Sequence, residues 1–371
     1  MPNIPSDFCN ATSIRRGSIH YLSFGGCNYL GLAHHPKVLA AAQRAVDQFG
    51  LSSSASRETT GNARPHSQLE TRLTSFTNLH SGLLVPDGYT ANLAALQGLQ
   101  NLGVKHALID SRAHPSLKDA AQLAQMQLHP FDHLDAIHAK SIICSLNGPA
   151  VILTDSVFTT DGDLAPSNQL LNILRESDWL ILDDCHGFAV LGEQGRGIAN
   201  HLDLNSKQLI ITTTLAKGLG CAGGIVMGDS LPVESARNHS IAYRCTTPAS
   251  PALVSAGLEA INLLETDSSL HENLKQNITL VRQTLRSLDI ETHDLPTCIF
   301  AFTIGDEMNM KRLEQNLLNR RIILPLMEYP NGPAPIYFRL SINASHTSEH
   351  IQYLKDSLAN EINNQHCGAI A

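Results

Sequence analysis

The sequence lacks the basic clusters and the long apolar segments that identify two large classes of protein. Its 371 residues include 26 lysines and arginines against 34 aspartates and glutamates, a net charge of −8, and the basic residues form no run. A protein that binds the phosphate backbone of nucleic acid usually shows such a run. No apolar stretch approaches the ~20 residues of a membrane-spanning helix. The sequence therefore argues against nucleic acid and membrane as partners.

The cysteines lack the close spacing of a metal site or of a redox pair. The sequence has 8 of them, and none belongs to a CxxC pair. Scattered cysteines of this kind are typical of reduced thiols or of small core residues. The N-terminal segment also lacks the apolar core of a signal peptide. We expect a soluble, cytoplasmic protein without a metal site.

What the sequence does contain, from about residue 80, is an alternation of short apolar runs and helical segments. A chain of 371 residues that is 43% hydrophobic is long enough for one large and one smaller domain. Uninterrupted apolar runs between helices indicate a mostly parallel sheet, covered on both faces. The predicted strands lie at 82–85, 107–109, 141–143, 151–153, 179–182 and 209–211.

The segments on either side of this region differ from it. Residues 1–35 show no regular pattern and are predicted to be an irregular arm, after which a helix begins at His35-Pro36. Polar residues without periodicity fill 52–62, which we interpret as a binding loop. A long helical stretch over 252–288 precedes strands at 298–302, 322–324 and 338–342. We predict an N-terminal arm with the first helix (1–50), a large α/β domain (51–247) and a small α+β domain (248–371).

One lysine is unusual because it follows a predicted strand and lies among glycines. Lys217 comes after the threonines that end the strand at 209–211, and Gly218 and Gly220 follow it. No other charge lies within 209–224, so Lys217 is not placed like a solvated surface residue. A partly buried lysine is a potential nucleophile and can form a Schiff base with pyridoxal phosphate. A structural lysine beside a glycine turn is the alternative for this stretch alone.

Polar residues at the ends of other predicted strands favour the first interpretation, because ligands bind beyond the carboxyl ends of strands in such sheets. Asp183 follows the strand at 179–182, and an aspartate there can keep a pyridinium nitrogen protonated. A helix N-cap is the alternative role, and it suits Asp184 equally well. His114 follows another strand end and could stack on a flat ring. Gly88-Tyr89 begins a predicted helix whose free amides suit a phosphate.

Taken together and in order, these segments resemble the α-oxoamine synthases, pyridoxal-phosphate enzymes of fold type I. The resemblance covers residues 23–346. The segments that carry it are NYLGLAHHP (28–36), SR…G…H…LE (56–70), DGYTAN (87–92), DSRAHPSL (110–117), FTTDGD (158–163), DDCHGFAVLGEQGRG (183–197), TLAKGLG (214–220) and FRLSINASH (338–346).

This resemblance implies a fold and a reaction. The fold would be that of the PLP-dependent transferases of type I, with a mostly parallel central sheet in a large domain and a small α+β C-terminal domain. The reaction would condense a small amino acid, L-alanine, with a pimeloyl thioester of coenzyme A or of a carrier protein, as in biotin biosynthesis, and release carbon dioxide. The alternatives are a related synthase with another acyl chain or with glycine or serine, an aminotransferase, and a scaffold that has lost catalysis.

The resemblance also implies roles for individual residues in a homodimer with shared active sites. The predicted catalytic residues are Lys217, which would carry the cofactor, Asp183 at its pyridinium nitrogen, His186 at its ring hydroxyl and His114 stacked on its ring. The other implied contacts are phosphate binding by Gly88, Tyr89 and Thr214, a place near the ring for Thr159, carboxylate binding by Arg339, and contact with the other subunit's phosphate by Thr246 and Thr247.

Several positions depart from the family pattern, mainly on the substrate side. Residues 52–55 replace a glycine-rich loop, and Asp87 replaces a serine beside the phosphate. Cys27, Cys185 and Ala249 stand where relatives carry an asparagine or tyrosine, an alanine and a proline, respectively. An altered substrate therefore fits the sequence as well as a divergent biotin enzyme does.

Overall fold

The computed structural model describes residues 4–202, 207–329 and 331–367. Contacts between residues divide the chain into two compact units. The larger comprises His35–Phe158 and Leu164–Asp267, and the smaller comprises Met1–His34, Thr159–Asp163 and Ser268–Ala371. The units change at other positions than the predicted boundaries after residues 50 and 247, and that division into domains stays a prediction.

The described residues form fourteen strands in three sheets. In chain order the strands are β1 (Asp7–Phe8), β2 (Ser13–Arg16), β3 (Ile19–Ser23), β4 (Ser81–Val85), β5 (His106–Asp110), β6 (Gln127–Phe131), β7 (Ala150–Asp155), β8 (Trp179–Asp183), β9 (Leu209–Thr214), β10 (Gly224–Gly228), β11 (Ile299–Phe302), β12 (Ile322–Ile323), β13 (Leu326–Met327) and β14 (Tyr337–Ser341).

The described residues also form twelve α-helices. None of the helices in this part of the chain combines the length and the apolar composition needed to cross a membrane. In chain order they are α1 (Pro36–Phe49), α2 (Arg64–Thr77), α3 (Gly88–Asn101), α4 (Pro115–Leu123), α5 (Ala136–Ser145), α6 (Ser167–Asn172), α7 (Ser230–His239), α8 (Ile241–Arg244), α9 (Pro251–Thr266), α10 (Ser269–Arg286), α11 (Glu307–Asn319) and α12 (Ser348–Cys367).

The larger unit contains the seven-stranded sheet, in the order β4-β10-β9-β8-β7-β5-β6. Neighbouring strands from β9 to β6 are parallel, and only β10 runs antiparallel to both of its neighbours. Every residue of β7 and β9 is buried, as expected of strands covered by helices on both faces. The predicted mostly parallel sheet is therefore confirmed, and it places the carboxyl ends of β5, β7, β8 and β9 along one edge.

In the larger unit, one predicted strand is wrong and two strands were not predicted. Residues 141–143 lie in α5, where Ala136, Ala139 and Ile143 face the interior at helical spacing. A short apolar run fits a buried strand and a buried helix equally well, so periodicity could not separate them. The sequence of β6 is too polar to be recognised, and β10 begins inside the glycines that follow Lys217.

The smaller unit corrects the prediction of an irregular N-terminal arm. Strands β1, β2 and β3 pair antiparallel, and β12 joins β3 in parallel, so the arm belongs to a four-stranded sheet. These strands are short and only partly buried, which is why the sequence lacks an alternating pattern there. A second sheet has the order β11-β14-β13 and confirms the predicted strands near 298–302 and 338–342. The helix predicted over 252–288 is two helices, α9 and α10.

Candidate active site

A cavity of about 220 Å³ lies in the larger unit, beyond the carboxyl ends of β4, β5, β7, β8 and β9. Its position is the one expected for a ligand site in a sheet of this kind. Six of the predicted site residues line it, together with three that were not predicted. The lining residues are Gly88, Tyr89, His114, Ser116, Asp155, Asp183, Cys185, Thr214 and Lys217.

Lys217 lies half-buried in a tight turn between β9 and β10. The turn is fixed at its base by Leu215, which donates its N–H to the Gly223 carbonyl and accepts from the Cys221 N–H, each over 2.9 Å. Gly223 has a φ of 134°, which a side chain would rarely tolerate. The amino nitrogen Nζ of Lys217 lies 2.7 Å from Nε2 of the buried His186. The lysine is thus held beside a second group that can exchange protons.

The Asp183 carboxylate at the end of β8 is held from two sides. Its Oδ2 accepts from Nδ2 of Asn92 over 2.7 Å, and its Oδ1 accepts from the N–H of Cys185 over 3.0 Å. Asn92 is itself fixed, because its amide also donates to the Ser116 hydroxyl and its carbonyl oxygen accepts from Thr212. Hydrogen bonds of this kind stabilise the charged form of a carboxylate. The Asp183 carboxyl group is therefore buried and fixed in orientation.

The adjacent Asp184 faces away from the cavity and has a structural role. It accepts from the Ser156 hydroxyl and, over 3.0 Å, from the N–H of Ile198. A Cβ on Gly187 or on Gly197 would lie 2.1 Å from its carboxylate oxygens, so both glycines are required by this close approach. Burial raises the pKa of Asp184 to about 7. The two aspartates of the sequence motif thus have different environments.

His114 is the N-cap of α4, and its ring is tied to the following turn. Its Nδ1 accepts from the N–H of Ser116 and lies 2.8 Å from the Ser116 hydroxyl. Burial lowers the pKa of His114, and the nearby Lys217 lowers it further, whereas Asp183 raises it. A neutral ring with its proton on Nε2 fits these contacts, and a neutral flat ring suits stacking.

The start of α3 brings backbone amides to the cavity. Asp87 caps the helix, since its Oδ1 accepts from the N–H of Thr90 over 2.7 Å, which explains the acidic residue at this position. A Cβ on Gly88 would lie 3.0 Å from Cβ of Thr214 and 3.2 Å from Sγ of Cys185. The start of α3 therefore packs closely against Thr214 and Cys185. The Tyr89 hydroxyl donates to the Asp119 carboxylate.

Three predicted residues of the larger unit, His186, Thr246 and Thr247, are not among the residues that line the cavity. Thr246 donates its hydroxyl to the Ala242 carbonyl over 2.6 Å, and Thr247 is exposed. Ala249 uses its carbonyl to hold Nε2 of the buried His66 over 2.8 Å. The prediction that the two threonines reach another subunit's cofactor stays a prediction.

Thr159 and Arg339 both belong to the smaller unit, where they contact each other. Nε of Arg339 donates to the Thr159 carbonyl over 2.5 Å, and Nη1 donates to the Ser341 hydroxyl over 2.8 Å. The arginine is 8% exposed, and its buried Nη2 has no hydrogen-bond partner among the described residues. A buried guanidinium with a free edge is a ready binding group for a carboxylate.

Comparison with known proteins agrees with this geometry. The model of the class I and II aminotransferases matches residues 19–358. The 8-amino-7-oxononanoate synthase of Nitrosomonas eutropha is 35% identical over 345 residues, which cover 91% of this chain and 89% of that protein. The synthase of Thioalkalivibrio sulfidiphilus is 33% identical over 342 residues, covering 91% and 87%. The chain belongs to the class I and II aminotransferase family.

Solved structures confirm the fold of this family member. A serine palmitoyltransferase from S. paucimobilis with bound PLP–myriocin has a TM-score of 0.90 at 21% identity, covering 97% of this chain and 93% of that one. The 8-amino-7-oxononanoate synthase from Francisella tularensis has a TM-score of 0.79 at 24% identity, covering 93% and 99%. The predicted PLP-dependent transferase fold of type I is therefore confirmed. So are the resemblance to the α-oxoamine synthases and the prediction of a PLP-dependent enzyme of the acyltransferase type.

The residues present fit the cofactor of this family, pyridoxal 5′-phosphate. A lysine amine, a buried carboxylate and a helix N-terminus are the three groups that an aldehyde, a pyridinium nitrogen and a phosphate require. Here Lys217, Asp183 and Gly88 line the same cavity. A side chain at position 88 would crowd Thr214 and Cys185, so a glycine suits the helix start.

Some residues of the site were missed by reasoning from the sequence. Asn92 follows Gly88 by one helical turn, and its position on α3 could have indicated that it faces the same ligand. Ser116 looked like an ordinary first-turn serine. Asp155 ends the apolar run of β7, so it carried the same signal as Asp183, but no partner in the sequence distinguished it.

Proposed function

We propose that this enzyme condenses L-alanine with a pimeloyl thioester, with loss of carbon dioxide, to give 8-amino-7-oxononanoate in biotin biosynthesis. The observation that carries the proposal is the group formed by Lys217, His186 and Asp183 at the carboxyl ends of β8 and β9. The choice of substrates is supported by relatives named for this product, which are 33–35% identical over nine-tenths of the chain.

The proposal assigns each contact to the cofactor to a residue of the chain. Lys217 would hold the cofactor aldehyde, Asp183 the pyridinium nitrogen and His186 the ring hydroxyl. The first amides of α3, at Gly88 and Tyr89, would hold the phosphate together with the Thr214 hydroxyl, while His114 stacks on the ring. When bound, the cofactor supplies an electron sink that stabilises negative charge on the α-carbon of the amino acid.

The protein's own contribution is to move protons and to keep its charges fixed. Nζ of Lys217 can take a proton from the amino acid and return it, and Nε2 of His186, 2.7 Å away, can share that proton. Asn92 and the Cys185 amide hold both oxygens of Asp183, which would keep its negative charge beside the pyridinium nitrogen. Such preorganised charge is usually worth several kcal/mol of transition-state stabilisation.

Arg339 is proposed to bind the carboxylate of the amino acid. Its Nη2 is buried and has no partner among the described residues, whereas Nε and Nη1 are fixed by Thr159 and Ser341. The fixed edge orients the guanidinium plane, and the free edge can donate to a carboxylate oxygen. We propose that Thr159 contributes through this contact, near the cofactor ring.

The deciding experiment supplies L-alanine and pimeloyl thioester and follows free thiol, carbon dioxide and pyruvate. Thiol and carbon dioxide released in equal amounts, and only with both substrates present, are expected. Glycine and serine in place of alanine, and other acyl chains on coenzyme A and on a carrier protein, define the preference. Pyruvate formed from alanine and a keto acid, with no thiol from any thioester, would instead identify an aminotransferase.

A further inference from the structure

Two buried carboxyl groups lie side by side in the cavity. Asp155 and Asp183 are register partners on the parallel strands β7 and β8, so their side chains leave the sheet on the same face. Both are 3% exposed and both line the cavity. Two buried carboxylates placed together do not both ionise readily, and they titrate as a pair.

The hydrogen bonds of the pair are unequal. Asp183 accepts from Asn92 on one oxygen and from the Cys185 amide on the other. For the carboxyl group of Asp155, the described residues show one hydrogen bond, which Oδ2 accepts from the N–H of His114 over 2.7 Å. Because donors stabilise a negative charge, the charge of the pair belongs on Asp183, and a proton belongs on Oδ1 of Asp155.

We propose that Asp155 is a positioning residue that acts in its protonated, neutral form. Through Oδ2 it fixes the backbone of His114, and by staying neutral it leaves Asp183 as the one negative charge of the pair. The proposal rests on the cofactor site described above, because a single carboxylate there matches the single positive charge of a pyridinium nitrogen.

The surroundings of Asp155 favour the neutral form. Burial raises the pKa of Asp155 well above its usual range, Asp183 raises it further, and Asp110 adds a small effect in the same direction. The His114 amide and Lys217 act in the opposite direction and are weaker than burial. Asp110 is itself engaged with Nδ1 of His133 over 2.9 Å and with the amide of Leu134 over 3.0 Å.

The position of Asp155 also explains how His114 is held. The His114 ring is tied to Ser116, but its backbone N–H precedes the first turn of α4 and has no helical partner. Oδ2 of Asp155 is the acceptor for that N–H. Loss of this acceptor leaves a buried donor unpaired, whereas an amide oxygen at the same position keeps the bond.

The test compares Asp155→Asn, Asp155→Ala and Asp183→Asn. Infrared difference spectra of the cofactor-free proteins, recorded at neutral pH in an Asp184→Asn background so that Asp184 adds no protonated band, are expected to show a protonated carboxyl band that Asp155→Asn removes and Asp183→Asn does not. Hydrogen exchange at the His114 amide is expected to stay slow in Asp155→Asn and to become at least tenfold faster in Asp155→Ala. Both measurements are independent of cofactor binding and turnover.

Cofactor affinity then links the residue to the site. Asp155→Asn is expected to bind pyridoxal phosphate within about threefold of the unaltered protein across pH 6 to 9, while Asp183→Asn loses at least tenfold. If Asp155→Asn removes no protonated band, or weakens cofactor binding as much as Asp183→Asn, the neutral role of Asp155 is wrong. If the unaltered protein binds no pyridoxal phosphate, the cofactor site fails instead, while the infrared result still decides the state of Asp155.

Discussion

Nζ of Lys217 and Nε2 of His186 are separated by 2.7 Å, although the two residues are 31 positions apart in the sequence. The contact joins the turn after β9 to the segment after β8, two parallel neighbours in the sheet. His186 is 3% exposed, so the pair is shielded from water on the histidine side. This contact brings the predicted lysine next to a proton-exchanging partner and makes Lys217 the first residue to test.

Replacing Lys217 is expected to abolish the covalent link to the cofactor. Purified protein should be yellow, and borohydride should fix the cofactor irreversibly to it, because an amine that binds the aldehyde gives a reducible bond. In Lys217→Ala no cofactor should remain after reduction and denaturation, as measured by mass spectrometry. Lys105→Ala, at an exposed lysine of the same unit, serves as the control and should retain it. A fixed cofactor in Lys217→Ala would assign the link to another lysine.

Shared active sites are expected to show in mixtures of inactive variants. If Thr246 and Thr247 bind the other subunit's cofactor, Lys217→Ala inactivates the site in its own subunit. The Thr246→Ala/Thr247→Ala double variant instead inactivates the site of its partner subunit. Unfolding and refolding them together should give mixed dimers with one intact site, at most a quarter of normal activity per total protein. Each variant refolded alone is the control. Full activity in a protein that sediments as a monomer would contradict the prediction.

The parts of the fold that the sequence predicted are those with a strong local signal. Strands β7 and β9 are buried throughout because helices cover both faces, and each therefore begins with an uninterrupted apolar run that the sequence shows directly. The edge strand β6 and the strands of the N-terminal arm carry polar residues, since part of each faces water. Their formation depends on partners distant in the sequence, which a local pattern does not show.

The residues of the candidate site likewise differ in how well the sequence predicts them. Lys217 and Asp183 could be predicted because each follows an apolar strand, and parallel strands bring their ends to one edge. The pairing of Asp155 with Asp183 could not, because it depends on the register of β7 against β8. From the sequence, an acidic residue at position 87 is unfavourable beside a phosphate. Its role as the N-cap of α3, in which Oδ1 accepts from the N–H of Thr90, can be recognised only once the start of α3 is known.

A buried ion pair between Arg57 and Glu70 is expected to hold the polar loop at 52–62 in place. Two hydrogen bonds of 2.5 and 3.0 Å join the guanidinium to the carboxylate, and the two side chains are 4% and 12% exposed. Glu70 also accepts from the Leu84 amide over 2.7 Å, which ties the pair to β4. Arg57 and Glu70, which belong to a segment typical of the family, therefore also stabilise the fold.

Glu70→Gln should lower the free energy of unfolding by about 3 kcal/mol, since it leaves a buried guanidinium without its charge partner. Urea denaturation measures the loss. Glu234→Gln, which removes the exposed partner of Arg237, is the matched control and should cost less than about 1 kcal/mol. Equal effects of the two substitutions would mean that the Arg57 pair is as well solvated as the exposed one.

Asp184 is expected to make stability depend on pH. Its pKa is about 7 in the folded protein because of burial, against 3.8 for an ordinary aspartate. Between these pH values the folded protein keeps a proton that the unfolded chain has lost. Unfolding therefore releases a proton, and stability falls as pH rises from about 4 to 7 and then levels off. The whole effect of this group is at most about 4 kcal/mol.

Asp184→Asn isolates this contribution, because an asparagine is neutral at every pH and keeps the shape of the side chain. Its oxygen can accept from the Ile198 amide, and its NH2 group can donate to the Ser156 hydroxyl. Urea unfolding at pH 5, 6, 7 and 8 should show the unaltered protein losing stability relative to Asp184→Asn up to pH 7, by a few kcal/mol in total. A difference between the two proteins that is constant over this range would show that Asp184 is already ionised at pH 5. In that case its bonds to Ser156 and Ile198 stabilise the charge more than burial disfavours it.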